Sequence, residues 1–233
     1  MIIVDEHVSG PANAQSTPEC LVIFLHGMTK DGKYMRDGLA GFFHSQLPGA
    51  RFLFPSAADA SWFDIAGDRD MPDKRETAIS ACAAAEEINA YIDFVVRREA
   101  VPESKVIIAG FSQGATLAFY AGLLRPHPVA GVYALSGGAL DQVDETVVKS
   151  KPRVHLAVGD DERHVYNGVD QNAAAKERLE KLGIAVELTV KPHAHEITTA
   201  AMEDFVAFVK SALAQPAPEK SAAPAAGGLS SGP

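Results

Sequence analysis

The sequence predicts an α/β fold built on a mostly parallel sheet with helices on both faces. Three observations predict it. Short apolar, β-branched runs alternate with stretches of helical period over most of the chain. A strand pattern passes directly into a helix pattern across one residue, Ser112. A length of 233 residues suits one domain with a substantial core.

Seven runs read as strands: Ile2–Val8, Leu21–Leu25, Arg51–Phe54, Val106–Ala109, Gly131–Leu135, Val154–Val158 and Ala185–Val190. Helical patterns lie around Lys74–Arg98, Gln113–Leu124, Asp170–Leu182 and Thr198–Ala214. This alternation implies parallel strands joined by crossover helices. The first two strands are joined without a helix, so an antiparallel edge is expected at that end. After Ala214 the text becomes QPAPEKSAAPAAGGLSSGP, with almost nothing to bury. The expected organisation is one domain, 1–214, and a disordered tail, 215–233.

Composition excludes several classes. A net charge of -9 argues against a nucleic-acid partner, because phosphate binding needs a basic face. The opening MIIVDEHVSG has neither the basic nor the apolar region of a secretory signal. No stretch approaches the 18 apolar residues that argue for a membrane span. The two cysteines, Cys20 and Cys82, read as packed thiols rather than a staple. A cytoplasmic protein is expected, either a monomer or a homodimer.

The corner at Ser112 carries the chemistry. Gly110 and Gly114 flank it in the pattern G-x-S-x-G. Glycines there let strand and helix approach closely and tolerate a strained turn, which lifts a serine hydroxyl above the sheet. An ordinary tight turn with an exposed serine has the same five residues, so partners must decide. Val154–Val158 ends in Gly159-Asp160-Asp161-Glu162, and Ala185–Val190 ends in Lys191-Pro192-His193-Ala194-His195-Glu196. Serine, acid and histidine thus follow successive strand ends, where α/β folds bind ligands, in the order of the nucleophile-elbow hydrolases. A serine attacks a carbonyl poorly without a base. Imidazole can take its proton, and a carboxylate fixes the imidazole tautomer. Leu21–Leu25 is followed by His26-Gly27-Met28-Thr29. The amides of Met28 and Gln113 are therefore candidates for an oxyanion hole.

At these motifs the chain resembles a known family. GFSQGATLAFYAGL, LHGMTKDG, SWFDI, GVYALSGG and HAHEI together are similar to the phospholipase/carboxylesterase family, which includes the acyl-protein thioesterases. The resemblance covers about Cys20 to Ala214. It implies the α/β-hydrolase fold and cleavage of small-molecule carboxylic esters or thioesters without a cofactor. By motif, Ser112 is the nucleophile, His195 the base, and the Met28 and Gln113 amides the oxyanion donors. Trp62 and Phe63 match a loop flanking the acyl pocket. Read from the residues alone, the same two aromatics also suit core plugs.

Two departures stand out. The family places its acid three residues after the strand-end glycine, followed by x-x-Val-Pro. Here that position is Glu162, followed by Arg163-His164-Val165-Tyr166. Spacing therefore selects Glu162, a one-residue shift selects Asp161, and Asp160 is third. The segment Ser56–Ser61 before Trp62 is also shorter than in the thioesterases. This turns the expectation toward short- to medium-chain esters, with thioesterase or lysophospholipase activity as the alternative and an inactive binding module as a further one. Were long chains accepted, their cover would have to come from elsewhere, from Met28–Met35 or the Asp68–Lys74 loop. His193-x-His195 also has the spacing of two zinc ligands, but no Cys or His cluster offers a third. No metal is expected.

Overall fold

A computed structural model describes residues 3–10, 17–67, 73–137, 148–162 and 168–215. Seven strands form one sheet: β1 (Ile3–Ser9), β2 (Cys20–Leu25), β3 (Ala50–Ala57), β4 (Val106–Phe111), β5 (Gly131–Leu135), β6 (Arg153–Gly159) and β7 (Val186–Lys191). Their order is β1-β3-β2-β4-β5-β6-β7. Only β1 runs antiparallel, against β3; the other pairs are parallel. The mostly parallel sheet and its antiparallel edge agree with the sequence. The edge strand's partner does not follow chain order, because ten residues separate β1 from β2 and no tight hairpin joins them. Each expected strand is present, and β3 is extended most, by Ala50 at its start and Pro55–Ala57 at its end. Of the expected tail, only Gln215 falls among the described residues.

Period-two alternation divides the sheet between two cores. Leu21, Ile23 and Leu25 of β2 face one way, with Ile108 of β4 and Leu156 of β6. Against them pack α2 (Lys74–Glu99), α3 (Gln113–Leu124) and α4 (Val169–Lys181). On α2, Ala81, Ala84, Ala85, Ile88, Ile92 and Val95 recur at three- and four-residue steps, a buried helical stripe. Asp73 caps this helix by accepting from the Arg75 and Glu76 amides. On the opposite face, Val22, Phe24, Phe52 and Phe54 meet α5 (Thr199–Ala214) and α1 (Gly32–Gln46).

Helix α1 is not among the helices expected from the sequence. Its signals are present in hindsight: Asp31 accepts from the Tyr34 amide as the N-cap, and Met35, Leu39 and Phe43 recur every fourth residue. Gly38 and Gly41 dilute the helical propensity between them. The stretch Met28–Met35, named as a source of cover, is therefore partly the first turn of a packed helix.

Two buried histidines couple this fold to pH. His26 follows β2 and His155 lies on β6. Burial is the main cause that holds both imidazoles below the ordinary value of 6.5. Near His155, the carboxylates of Asp204 and Glu187 oppose that shift and Lys191 adds to it. The unfolded chain takes up protons at these rings from about pH 6.5 downward, whereas the folded chain resists. Their contribution to stability is thus complete above that pH and lost below it. Melting temperatures at pH 7.5 and 5.5 check this: His155→Gln should show a smaller acid-induced drop than the wild type. Equal drops would remove His155 from the account.

Candidate active site

The site is assembled on the carboxyl edge of the sheet. Ser112 stands between β4 and α3 with φ 56° and ψ -121°, a region that non-glycine residues seldom occupy. Its amide donates to the Leu135 carbonyl at 2.9 Å, and its carbonyl accepts from the Ala115 and Thr116 amides. Strand and helix come too close here for side chains. A Cβ on Gly110 would lie 2.3 Å from the Gly114 carbonyl carbon, and one on Gly114 would lie 2.4 Å from the Leu25 oxygen. The two glycines of the G-x-S-x-G pattern are therefore needed for close approach.

Three of the candidate residues meet in one hydrogen-bonded chain. The His195 ring reaches the Ser112 hydroxyl with Nε2 at 2.9 Å. Its Nδ1 reaches Glu162 Oε2 at 2.7 Å. The Glu162 side chain is fully buried, and that of His195 is 23% exposed. Phe111 backs the imidazole, with ring centroids 4.8 Å apart.

Asp160 and Asp161 are exposed, and their amides donate to the Lys191 and His193 carbonyls. Spacing from Gly159 thus selected the carboxylate that touches His195. Residues 163–166, where the chain departs from the family's x-x-Val-Pro, lie outside the described residues, as do positions 68–72 of the other named cover. His193 is buried, with Nδ1 on the Ala194 carbonyl at 2.7 Å, so the two imidazoles of the His-x-His pair engage different partners.

Around Ser112, the Cα of Gly27 is so near that a Cβ there would sit 3.4 Å from the Ser112 Cβ. This brings the Gly27–Met28 peptide beside the serine. Gln113 begins α3, where a first-turn N–H has no intrahelical acceptor. Trp62 and Phe63 are both buried in the core on the α2–α3 side of the sheet, and Trp62 is only 2% exposed.

A separate cavity of about 760 Å³ opens beside His195 on the α1–α5 side. Its apolar lining comes from Met35, Leu39, Phe111, Ile197 and Met202, with Lys30, Lys33 and Glu196 also at its walls. Missing α1 from the sequence meant missing this wall. Among the described residues, no helix is long and apolar enough to cross a membrane.

The sheet, its crossover helices and the serine at the strand-to-helix corner define an α/β hydrolase. More narrowly, the chain belongs to the phospholipase/carboxylesterase family, whose sequence profile matches residues 11–213. It is 27% identical to acyl-protein thioesterase 1 of Kluyveromyces lactis over 229 residues, covering 87% of this chain and 95% of that protein. It is 28% identical to carboxylesterase SOBER1 of Arabidopsis thaliana over 213 residues, covering 82% and 90%. The crystal structure of esterase PE8 superposes with a TM-score of 0.73 at 26% identity, covering 88% of this chain and 99% of that one.

The elbow itself is testable. Gly114→Ala should destabilise the protein by about 1–3 kcal/mol, the range for overpacking a tight interior. The upper end is expected because the obstructing atoms are backbone oxygens. Urea unfolding measures this, and an unchanged midpoint would contradict the close approach.

Proposed function

We propose that this protein is a serine carboxylesterase acting on short- to medium-chain carboxylic esters through an acyl-serine intermediate. The observation that carries this reading is the chain Glu162–His195–Ser112, with its two hydrogen bonds of 2.7 and 2.9 Å. Ser112 Oγ attacks the ester carbonyl carbon while its proton passes to His195 Nε2. The carbonyl π pair moves onto oxygen, which the Met28 and Gln113 amides receive. Glu162 holds the imidazole tautomer and stabilises the imidazolium. The tetrahedral adduct then collapses: the bond to the alcohol oxygen breaks, and His195 returns the proton to the leaving group. Water repeats the sequence on the acyl-enzyme, releasing the acid and restoring Ser112. The cavity lies on the His195 side, where the departing group receives its proton, so the leaving group extends there. The free Cys20 and Cys82 thiols support a cytoplasmic location.

The acid assignment has a direct test. A fluorophosphonate should label Ser112, and Ser112→Ala should lose roughly 10⁵-fold or more in kcat. Glu162→Gln should cost on the order of 10⁴-fold, as tautomer loss does in a serine protease, while Asp161→Asn keeps most activity. The reverse order of these two losses would move the acid by one residue.

Similarity to acyl-protein thioesterase 1 favours a second reading, hydrolysis of acyl thioesters. Against long chains stands the segment before Trp62. Ser56 and Ala57 are spent on pairing with β1, and Ser56 also accepts from the Gly32 amide. Ala58–Ala60 form one tight turn in which Asp59 and Ala60 take positive φ, and the Ala60 carbonyl accepts from the Thr29 amide. Nothing in this segment is left to cover a fatty chain. Each buried CH₂ contributes about 0.8 kcal/mol, or roughly fourfold in kcat/KM when fully realised in the transition state. For p-nitrophenyl esters below their micelle thresholds, kcat/KM should climb over the first few carbons and then flatten. A climb sustained to palmitoyl length would favour the thioesterase reading.

A further inference from the structure

We propose that Ser61–Phe63 and His26 form a buried clasp that positions both oxyanion-donating amides, so that Trp62 and His26 are positioning residues of the reaction. This rests on the reading of Met28 and Gln113 as the oxyanion donors.

On one side the clasp holds Gln113. The Gln113 side-chain nitrogen donates to the Phe63 carbonyl at 2.7 Å and to the Ser61 hydroxyl at 3.0 Å. Its side-chain oxygen accepts from the Trp62 amide at 3.0 Å. The side chain of Gln113 is thereby tied to three consecutive residues, which fixes the first residue of α3 and the direction of its own N–H.

On the other side the clasp holds Met28 through His26. The Ala57 N–H donates to His26 Nε2 at 3.0 Å, so that nitrogen carries no proton. The ring's proton therefore sits on Nδ1, which donates to the Gly27 carbonyl at 2.8 Å. The Lys30 amide donates to the same carbonyl at 3.2 Å. Across a trans peptide, N–H and C=O point in opposite directions. With the Gly27 carbonyl held on the ring, the Met28 N–H is directed away from it. Among the described residues no acceptor takes this N–H.

Trp62 joins the two halves. Its indole N–H donates to the His26 carbonyl at 2.7 Å, and its ring lies over the His26 ring with centroids 4.5 Å apart. His26 has no solvent exposure, so no water substitutes for these contacts. The His26 carbonyl also abuts Gly114, 2.5 Å from where its Cβ would be. One indole thus ties the oxyanion loop to the segment that grips Gln113.

The test uses the intact enzyme and a trifluoromethyl ketone, which models the charged intermediate. Ser112 Oγ adds to the ketone carbon, its proton passes to His195, and the former carbonyl oxygen carries the negative charge. Trp62→Phe keeps the ring and deletes the indole N–H. His26→Asn keeps a donor near Nδ1, whereas His26→Ala removes it. Loss of one well-placed donor costs about 10²–10³-fold in kcat, and displacement of a donor costs less. Trp62→Phe should lower kcat roughly tenfold and His26→Ala about a hundredfold, with KM within about twofold. His26→Asn should recover at least part of the loss. Ketone affinity should fall in parallel with kcat. Lowered melting temperatures with wild-type kcat and ketone affinity would overturn the proposal, leaving the clasp a packing element. Should His26→Ala fail to fold, Trp62→Phe decides alone. Fluorophosphonate labelling of Ser112 in the wild type separates this from the parent reading: an unlabelled, inactive wild type defeats both.

Discussion

The constraint on which the rest depends is the distance between α3 and the strands beneath it. With Gly110 and Gly114 in place, the helix starts so close to β2 and β4 that neither position has room for a methyl group. The chain then has one residue in which to turn from strand to helix, and Ser112 takes the positive φ that this demands. Such a conformation costs on the order of 1–3 kcal/mol. It persists because its surroundings over-determine it. The Ser112 amide is held by β5, its carbonyl begins the helix, and α3 is buried from Gln113 to Leu123. Full burial of one leucine or phenylalanine contributes about 1.5–3 kcal/mol. Leu117, Phe119 and Leu123 together outweigh the strain at the corner.

Once the serine is fixed, the sheet fixes its partners. Strands β4, β5, β6 and β7 are consecutive in chain and in space, and they run parallel, so their carboxyl ends share an edge. Glu162 lies three residues beyond the end of β6, and His195 four beyond the end of β7. Neither needs a long excursion to reach Ser112. The backbone also braces these two turns against each other, with the Asp160 amide on Lys191 and the Asp161 amide on His193. The Glu162 side chain is fully buried beside these turns, while Asp160 and Asp161 stay exposed.

The parts of this arrangement that could be read from the sequence are those with a local signature. Strands betray themselves by apolar runs, the elbow by its glycines, and the residues hydrogen-bonded in line with Ser112 by position after a strand end. Glu162 was selected over Asp161 by counting from Gly159, a spacing that survives because a turn of fixed length has few conformations. Helix α1 escaped because two glycines interrupt its period, although its cap and four-residue spacing were visible. The pairing of β1 with β3 escaped because order in a sheet is decided by distant burial, not by neighbours in the chain. The clasp has no local signature. His26 meets Ala57 and Trp62, and Gln113 meets residues fifty positions earlier. No periodicity marks such contacts. Trp62 and Phe63 match a loop beside the acyl pocket in the family, and no spacing in the sequence marks their bonds to His26 and Gln113.

The two sides of the serine differ in a way that bears on what each can accommodate. The His195 side has a partly exposed imidazole at the edge of a cavity whose walls mix methionine, leucine and phenylalanine with lysine and glutamate. The Gln113 side is dry: His26, Trp62 and Gln113 are buried and their side-chain polar groups are matched within the protein. A buried polar group that loses its partner costs about 1–3 kcal/mol, so movement on that side is penalised at every bond. On the proposed reading, a leaving group can thus vary in shape against a wall of adaptable side chains, among them two methionines. The carbonyl under attack, on the same reading, meets a frame in which displacement breaks buried hydrogen bonds. Rigidity where charge develops and tolerance where the product departs would then both follow from tying the Ser61–Phe63 segment to His26 and Gln113.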